Sequence, residues 1–485
     1  MKKRNVFLCI ILLLSLLNGC QSSPSKVVQN KNEAEFLEKA SQKADTDNTA
    51  DATQHIDFSD VFFSTDNTVE YHMQLDELIT DTNMPVITVS PHYITENEAE
   101  VAAKALFGDV SYYEWQHWDD AKPSRSQIQD KINRWSEYTN QEALTKLFGD
   151  VYENSDHVIK TFIQEYTSKL ESADKNDNRK ECAWHFKKAP FYLFSSNEAE
   201  NYKQTREDNL IKATLDDEGI PFTFLVGSRN EVDYKANYIR AYIESDSPFD
   251  LDVRFFTAKL CRTDKPTDAQ VDCAVKKAET ILENMHLGKW TIENYKINTN
   301  YYGDIPEYTI YIEAIPVLNG VASICQEKIA NLTANDIYAS TYQMTSCEFV
   351  FSANSDLISF SLDSPIDITN VINDNVAVIP MDEIVNLAKN NLIYRSFYSY
   401  DTTMMLDASN QNIKCEVKID RVKYALGRIR VANEDDIYYY VPAVVLLGDA
   451  EFYDKSTDEY LFTTPDLTLI SINAVDGTII NTTNS

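Results

Sequence analysis

The sequence predicts an α+β fold built of tandem modules, in each of which an amphipathic helix packs on an antiparallel β-sheet. Two observations support this prediction. Capped amphipathic helices recur along the chain, and each is followed by short strands in which apolar and polar residues alternate. Strands with one apolar face are typical of antiparallel sheets that a helix covers on one side. With 485 residues, of which 43% are hydrophobic, the chain is long enough for several cores.

The first 20 residues have the pattern of an export signal. Three basic residues at positions 2–4 precede an apolar run over 6–17, which is shorter than the about 20 apolar residues of a transmembrane helix. The stretch Leu17-Asn18-Gly19-Cys20 resembles the bacterial lipobox. The resemblance implies cleavage after residue 19 and a diacylglycerol thioether on Cys20. A plain secretory signal followed by a coincidental cysteine is the alternative.

The remaining chain divides where its pattern changes. Residues 20–57 are polar and are predicted to be a flexible tether, with a weak helix near 32–44. The further predicted segments are an N-terminal α+β module over 58–123, a helical insertion over 124–180, a β-rich region over 181–265, an α+β module over 266–365 and a C-terminal α+β module over 366–485.

Three helices open the predicted α+β modules. The first has Thr95 and Glu98 at the spacing of a capping box, and the second has Thr267 and Gln270 at the same spacing. The third covers 380–392 and has acidic residues in its first turn, where they interact favourably with the helix dipole. Each helix repeats apolar residues at intervals of three and four, which predicts one buried face.

Strands are predicted after each helix. Residues 308–313 alternate between apolar and polar, and Asn319-Gly320 then supplies a hairpin turn. Asp476-Gly477 interrupts the last apolar stretch, over 467–480, and predicts a reversal there. Residues 124–175 have helical spacing, whereas 205–260 are strand-like, with a predicted turn at Gly227-Ser228.

The C-terminal stretches resemble a known module. YYYVPAVVLLGDAEF (438–452) and LTLISINAVDGTII (467–480) are similar to the closing strands of PepSY-type inhibitory or propeptide modules, and YTIYIEAIPVLNGV (308–321) is similar to a strand-turn-strand of the same module. Together with the lipobox and ITENEAEVAAKALFGD (94–109), they also resemble uncharacterised lipoproteins of Clostridia-like Gram-positive bacteria. This resemblance implies no assigned activity.

The charge excludes nucleic acid as a partner. The formal net charge is −32, whereas binding to phosphates requires a basic surface. The same charge repels anionic lipid, so we expect the protein to contact the membrane through the acyl chains on Cys20. The predicted location is the extracytoplasmic face of the cell membrane.

Six cysteines follow Cys20, and they allow fifteen pairings if all form disulfides. Cys273 and Cys415 are predicted to be small core residues, because they lie on apolar faces of a helix and a strand. Only Cys325 and Cys347, in neighbouring predicted strands, are a candidate pair. The six are Cys182, Cys261, Cys273, Cys325, Cys347 and Cys415.

Signatures of catalysis and metal binding are absent from the sequence. There is no H-E-x-x-H, G-x-S-x-G or P-loop, and 11 glycines leave little material for loops that approach a phosphate or an oxyanion. A calcium loop at Asp174, Asn176 and Asn178 is rejected, because Arg179 stands where glycine is required and His185 where a bidentate glutamate is required. We therefore predict no catalytic residue, metal or cofactor.

Aromatic residues cluster in two places. Tyr112, Tyr113 and Trp115, together with His117 and Trp118, form either a glycan-stacking platform or a strand with one face in the core; we favour the core strand. Tyr438 to Tyr440 are likewise predicted to line a sheet. Acidic neighbours such as Asp119 and Asp120 are expected by chance in so acidic a chain, and we assign them to the solvated surface.

The sequence thus predicts a membrane-anchored extracytoplasmic lipoprotein that binds or regulates a protein partner without catalysis. A surface hydrolase that acts on glycan or peptide through two carboxylates is one alternative. A lipoprotein that captures a small solute in a deep pocket is another.

Overall fold

The protein is described by a computed structural model over residues 33–43, 54–65, 67–79, 84–116, 122–148, 155–187, 207–230, 235–243, 251–302, 304–324, 345–393, 413–429 and 437–482. These residues form two compact units. The first contains the described residues up to Thr88 and from Thr369 onward, and the second contains Val89 to Ile368. Both combine helices with a β-sheet, so the predicted α+β class is confirmed.

The helices of the described residues are α1 (Glu33–Ala40), α2 (Glu96–Phe107), α3 (Arg125–Ser136), α4 (Gln141–Phe148), α5 (Ser155–Leu170), α6 (Leu251–Cys261), α7 (Asp268–Met285) and α8 (Met381–Leu392). The strands are β1 (Gln54–Phe63), β2 (Val69–Ile79), β3 (Val86–Pro91), β4 (Tyr112–Glu114), β5 (Glu207–Asp217), β6 (Ile220–Asn230), β7 (Lys235–Ile243), β8 (Trp290–Tyr302), β9 (Ile305–Leu318), β10 (Val321–Ala322), β11 (Ser346–Phe351), β12 (Leu357–Asp363), β13 (Ile366–Asn373), β14 (Ile413–Ile429), β15 (Tyr438–Asp454), β16 (Tyr460–Asn473) and β17 (Ile479–Thr482).

The first unit is built on a mixed sheet with the order β1-β2-β14-β15-β16-β17, in which β3 also pairs with β15, and β13 pairs with β3. The neighbours β2 and β14 are parallel, with Val417 opposite Tyr71. Helix α8 covers one face, where its buried Ile384 and Leu392 join the strand residues in one core. The apolar periodicity of α8 therefore predicted its buried face correctly.

Helix α1 lies in the segment that the sequence assigned to a flexible tether. Its Phe36 and Ala40 are buried against strand residues of the first unit, and the rings of Phe36 and Tyr439 are 5.4 Å apart. The side chain of Asn373 donates to the carbonyls of Ala40 and Gln42, at 3.0 and 3.1 Å. Residues 33–43 are thus docked, because one aromatic side chain in a polar stretch is enough to anchor a short helix.

The second unit is built on an antiparallel sheet with the order β10-β9-β11-β12-β7-β6-β5-β4, with β8 also paired to β9. Helices α2 and α7 pack against each other and share one core with the strands. The sequence placed these two helices in separate modules, at 58–123 and 266–365. The two units therefore do not follow the predicted module boundaries, because strands pair across long separations that local patterns do not report.

A helical cluster lies in the second unit, where the sequence predicts an insertion. Helices α3, α4 and α5 surround the buried residues Trp135, Leu147 and Ile159. Ala258 of α6 completes this core. Residues 251–261 are thus helical, although the sequence placed them in a β-rich region. The prediction failed because the short α6 has a weak amphipathic pattern and packs against the residues of the helical cluster.

One of the predicted turns is confirmed by the structure and another is wrong. Asn319 and Gly320 both have positive φ, 51° and 87°, and reverse the chain between β9 and β10 as predicted. The predicted turn at Gly227-Ser228 is wrong, because both residues lie inside β6. Gly227 is required there for space, since a Cβ atom would lie 2.5 Å from the Tyr238 hydroxyl on β7.

None of the helices in the described ranges is both long enough and apolar enough to cross a membrane.

Candidate functional site

Several residues singled out by the sequence lie outside the described residues. They are Cys20, His117, Trp118, Asp119, Asp120 and Cys325. The cysteines within the described residues have free thiols, including Cys347, the predicted partner of Cys325. Cys415 is buried as predicted, but Cys273 is exposed, because it lies one position outside the apolar stripe of α7.

Tyr112 on β4 belongs to the core of the second unit. Its ring lies 5.1 Å from that of Trp184 and 6.3 Å from that of Phe224, and its hydroxyl donates to the Ala103 carbonyl at 2.8 Å. Burial raises the pKa of this phenol well above its ordinary value. The prediction that one face of the aromatic stretch is core is confirmed for Tyr112. Tyr438 to Tyr440 lie in the strand β15, as predicted, and all three are buried.

The other face of this stretch carries Tyr113 and Trp115, and cations cover both rings. The Arg179 guanidinium lies 4.0 Å from the centre of the Tyr113 ring, and the Lys212 ammonium 3.3 Å from that of Trp115. Each ring is thus engaged in a cation–π contact. A glycan would have to displace these cations before it could stack on either ring.

An open cleft lies beside the aromatic core of the second unit. The end of α2 contributes Glu100 and Lys104, whose charged groups are 3.4 Å apart. Gly108, with φ 70°, ends the helix and directs the chain along the cleft towards β4. The full lining is Glu100, Lys104, Gly108, Asp109, Val110, Ser111, Tyr112, Glu181 and Trp184.

The charge and shape of this cleft determine what it can accept. Three carboxylates face a single ammonium group in the lining, while Tyr112, Trp184 and Val110 add apolar surface. A cationic group that carries an apolar stem, such as lysine or arginine in a peptide, matches both properties. The lining contains no histidine or cysteine, and its ionisable groups are the three carboxylates, the ammonium of Lys104 and the phenol of Tyr112.

At the opposite end of α2, His92 lies between two carboxylates. Its Nδ1 is 2.9 Å from Asp367 Oδ2, and its Nε2 is 3.2 Å from Glu98 Oε1. The distance between Nε2 and the Glu98 carboxylate is within that of an ion pair, but Nε2 forms no hydrogen bond. Burial raises the pKa of Glu98, yet hydrogen bonds from Thr95 and the attraction of His92 together bring it below the ordinary value.

Glu98 also forms the predicted capping box. Its Oε2 accepts the Thr95 backbone N–H at 2.7 Å, and its own N–H donates to Thr95 Oγ1 at 3.2 Å. In the same turn, Glu96 accepts the Phe186 N–H at 2.8 Å and contacts His185 Nδ1 at 2.9 Å. These hydrogen bonds lower the pKa of Glu96, with that from His185 contributing most.

A buried ionic group ties the helical cluster to the sheet of the second unit. Glu307 on β9 accepts two hydrogen bonds from Arg254 on α6, at 2.5 and 2.7 Å, and one from Arg262, at 2.7 Å. Both arginines also donate to the Leu147 carbonyl at the end of α4. Five guanidinium nitrogens of the two arginines donate to Glu307 or to the Leu147 carbonyl, which indicates a structural role.

The first unit has a charged sheet face. Glu70, Glu416 and Glu451 lie side by side on β2, β14 and β15. Like charges in register repel. Lys414 lies 2.5 Å from Glu416 and 3.5 Å from Glu70, and Lys418 lies 2.6 Å from Glu451. These two cations offset part of the repulsion among the three carboxylates.

The described residues hold no group of three histidines, cysteines or carboxylates that could bind a metal ion. The thiols of Cys182, Cys261 and Cys415 are poor nucleophiles, because burial raises the pKa of the first to about 11 and those of the other two to about 12. In the segment considered for calcium, the Asn178 amide donates to the Asp174 carboxylate at 2.5 Å.

Sequence reasoning missed His92, because its partners come from distant segments and no local spacing marks them. The cleft was missed for the same reason, although the capping box and Gly108 located the helix that forms its wall.

Comparisons with known proteins give no family. No known protein family matches the chain, and no curated protein matches it. A crystal structure of an uncharacterized protein from Eubacterium rectale is similar over 94% of this chain and 99% of that chain, with 11% identity and a TM-score of 0.33. A likeness at this level carries no argument about fold or function.

Proposed function

We propose that the chain is a lipid-anchored protein of the extracytoplasmic membrane face that binds a protein partner without catalysis. The lipid anchor is inferred from the leader sequence, in which basic residues and an apolar run precede Leu17-Asn18-Gly19-Cys20. A diacylglycerol-modified Cys20 would hold the strongly acidic body at the membrane, which its own charge does not do. The resemblance to PepSY-type modules agrees with a regulatory role.

The partner's binding surface in this proposal is the acidic cleft beside Tyr112. Its excess of carboxylates and its apolar floor suit a cationic segment of a protein. Glu100 and Glu181 contribute negative charge from two different segments. Substitutions that reverse these two charges alter the charge of the cleft and leave the core residue Tyr112 in place.

Site-specific photo-crosslinking in intact membranes tests this surface. A photoreactive residue at position 110 should give a crosslinked protein adduct, and the pair of changes Glu100→Lys and Glu181→Lys should abolish it. Two separate proteins serve as controls: one carries the photoreactive residue at the exposed position 279 on α7, and the other combines the photoreactive residue at 110 with Glu279→Lys. An adduct at 110 that survives both charge reversals would contradict the proposed surface. Turnover of a wall glycan or peptide by the purified protein would contradict the noncatalytic role.

A further inference from the structure

Helix α1 is attached to the sheet of the first unit. Its buried Phe36 and Ala40 share one core with Val86 on β3, Ile429 on β14 and Tyr439 on β15. The rings of Phe36 and Tyr439 meet edge to face, with 5.4 Å between their centres. An aromatic side chain that is 2% exposed loses its packing if α1 leaves this position, so the docked helix is the stable arrangement.

The chain stays attached to the first unit beyond the last residue of α1. The Gln42 carbonyl accepts the Ala377 N–H at 2.9 Å and the Asn373 side-chain amide at 3.1 Å. Lys43 then pairs with Val376 in an isolated antiparallel bridge. Backbone hydrogen bonds therefore add to the apolar contacts of the helix, and a chain that arrives from the N-terminus is first attached to the unit at α1 and not at β1.

This attachment divides the polar stretch that follows Cys20. Residues 21–32 lie between Cys20 and α1, and we call them the membrane tether; residues 44–53 lie between the docked segment and β1. A chain spans at most about 3.3–3.6 Å per residue, so the membrane tether can reach about 45 Å. If β1 were the first attached element, the reach from Cys20 would be about 115 Å.

We propose that α1 is a latch that sets how far the first unit can move from the membrane, because it leaves only residues 21–32 between the lipid on Cys20 and the folded chain. The α1 side of the first unit then stays within about 45 Å of the bilayer. This inference rests on the proposed lipid anchor. A partner that the α1 side binds must accordingly lie at or close to the membrane.

The charge of α1 is consistent with a limit on height and not with adsorption. The helix exposes Glu35 and Glu38 against one lysine, Lys39, which lies 3.8 Å from Glu35. This surface has no net attraction for anionic lipid. The latch therefore restricts the distance from the bilayer without pressing the first unit onto it.

Two insertions of equal length test the latch in the full lipidated chain. A flexible Gly/Ser segment of about 24 residues is inserted either between residues 28 and 29, before α1, or between residues 48 and 49, after it. With α1 docked, the first insertion should raise the root-mean-square span of the membrane tether about 1.7-fold, whereas the second should leave it unchanged. Both insertions lie outside the described residues, and equal thermal transitions for the two variants and the wild type verify that the units stay folded.

Energy transfer to the bilayer measures the height of the first unit. A fluorescent amino acid in place of the exposed Asp374, next to Asn373, is the donor, and phosphatidylcholine vesicles with an acceptor-labelled lipid hold the reconstituted protein. Transfer should be lower for the insertion before α1 than for the wild type, and the same as the wild type for the insertion after α1. Equal decreases for both insertions would overturn the latch, because the chain would then be attached first at β1. Unchanged transfer for both would overturn it too, because the membrane tether would then not limit the height.

The Cys20→Ser protein separates a failure of the latch from a failure of the lipid anchor. It lacks the lipid and should show no transfer. Wild-type transfer as low as that of Cys20→Ser would contradict the anchor and, with it, the limit on height. Wild-type transfer that requires Cys20, together with equal decreases for the two insertions, would contradict the latch and leave the anchor in place.

Discussion

Single side chains in this protein join elements that are far apart in the sequence, and the group around Glu307 is the most buried example. Its carboxylate is 3% exposed and receives hydrogen bonds from Arg254 and Arg262. Such a group contributes little net energy relative to an apolar replacement, yet it is costly to break. The reason is that the remaining charges stay buried without compensation.

Glu307→Ala should therefore destabilise the second unit by about 3–5 kcal/mol, because it leaves two guanidinium groups without their acceptor. Urea denaturation, followed by tryptophan fluorescence, measures this change. Glu279→Ala, at an exposed position on α7, should change the stability by at most about 0.5 kcal/mol. A loss for Glu307→Ala as small as that of the control would contradict the structural role.

Acid should weaken the ionic contacts. The hydrogen bond from Lys187 holds the pKa of Glu114 below its usual value of 4.5, and that from Lys418, with a further one from Tyr453, does the same for Glu451. A carboxyl whose pKa is lowered by folding stabilises the protein above its unfolded pKa and loses this contribution as the pH falls through its folded pKa. The Tm should thus fall steadily as the pH decreases below about 4.5.

Glu451→Gln serves as the comparison in this acid series. The first unit of this variant should have a lower Tm at neutral pH than the wild type. Below pH 4.5 its Tm should decrease less, because glutamine has no carboxylate that acid can protonate. Parallel Tm curves for Glu451→Gln and the wild type would show that the Lys418 contact contributes no pH dependence.

At the scale of elements, the local signals in the sequence located helices well. The capping residues Thr95 and Pro380 mark the starts of α2 and α8, and the periodicity of α7 predicted its buried face with one error, at Cys273. These signals succeed because caps and stripes depend on neighbours within one or two turns. Gly227 was misread because the reason for glycine there is the Tyr238 ring on the next strand, not a turn.

Phe36 tests whether α1 is part of the first unit. Phe36→Ala should destabilise that unit by about 3–5 kcal/mol, because a fully buried ring leaves a cavity beside Tyr439. The neighbouring Glu35→Ala, at an exposed position, should have little effect. If the two variants melt alike, residues 33–43 act as the tether that the sequence predicted.

The last two strands should be essential for the first unit. β16 lies between β15 and β17, and its Leu469, Ile470 and Ile472 are buried. Deletion of 467–485 removes these side chains at roughly 1.5–3 kcal/mol each, which together approach a typical domain stability of about 5–15 kcal/mol. The first unit should unfold, as loss of its thermal transition would show. A truncated protein with the full-length transition would make these strands peripheral.

At the scale of the whole molecule, the sequence predicted the α+β class but not the division into two units. β2 pairs with β14, although most of the second unit lies between them in the chain. Composition and periodicity contain no information on such a pairing. The same limit applies to His92, whose partners Glu98 and Asp367 meet only after folding. The predicted leader, in contrast, depends on a linear pattern that requires no fold.

The proposed lipid anchor would also account for how so acidic a molecule stays at a membrane. Cys20→Ser should release the protein into the soluble fraction without a change in the thermal transitions of the two units, because the proposed role of Cys20 is to carry the lipid and not to pack in a core. A salt wash removes ionic contacts, so wild-type protein should resist it. Cys20→Ser protein that still sediments with membranes after the wash would count against the anchor.

The most direct test of the central claim is the mass of the N-terminal peptide of the protein extracted from membranes. We predict a mature chain that begins at Cys20 and carries the added mass of a diacylglycerol thioether. A chain that begins at any other residue, or an unmodified Cys20, would contradict the assignment of this protein as a lipid-anchored extracytoplasmic lipoprotein.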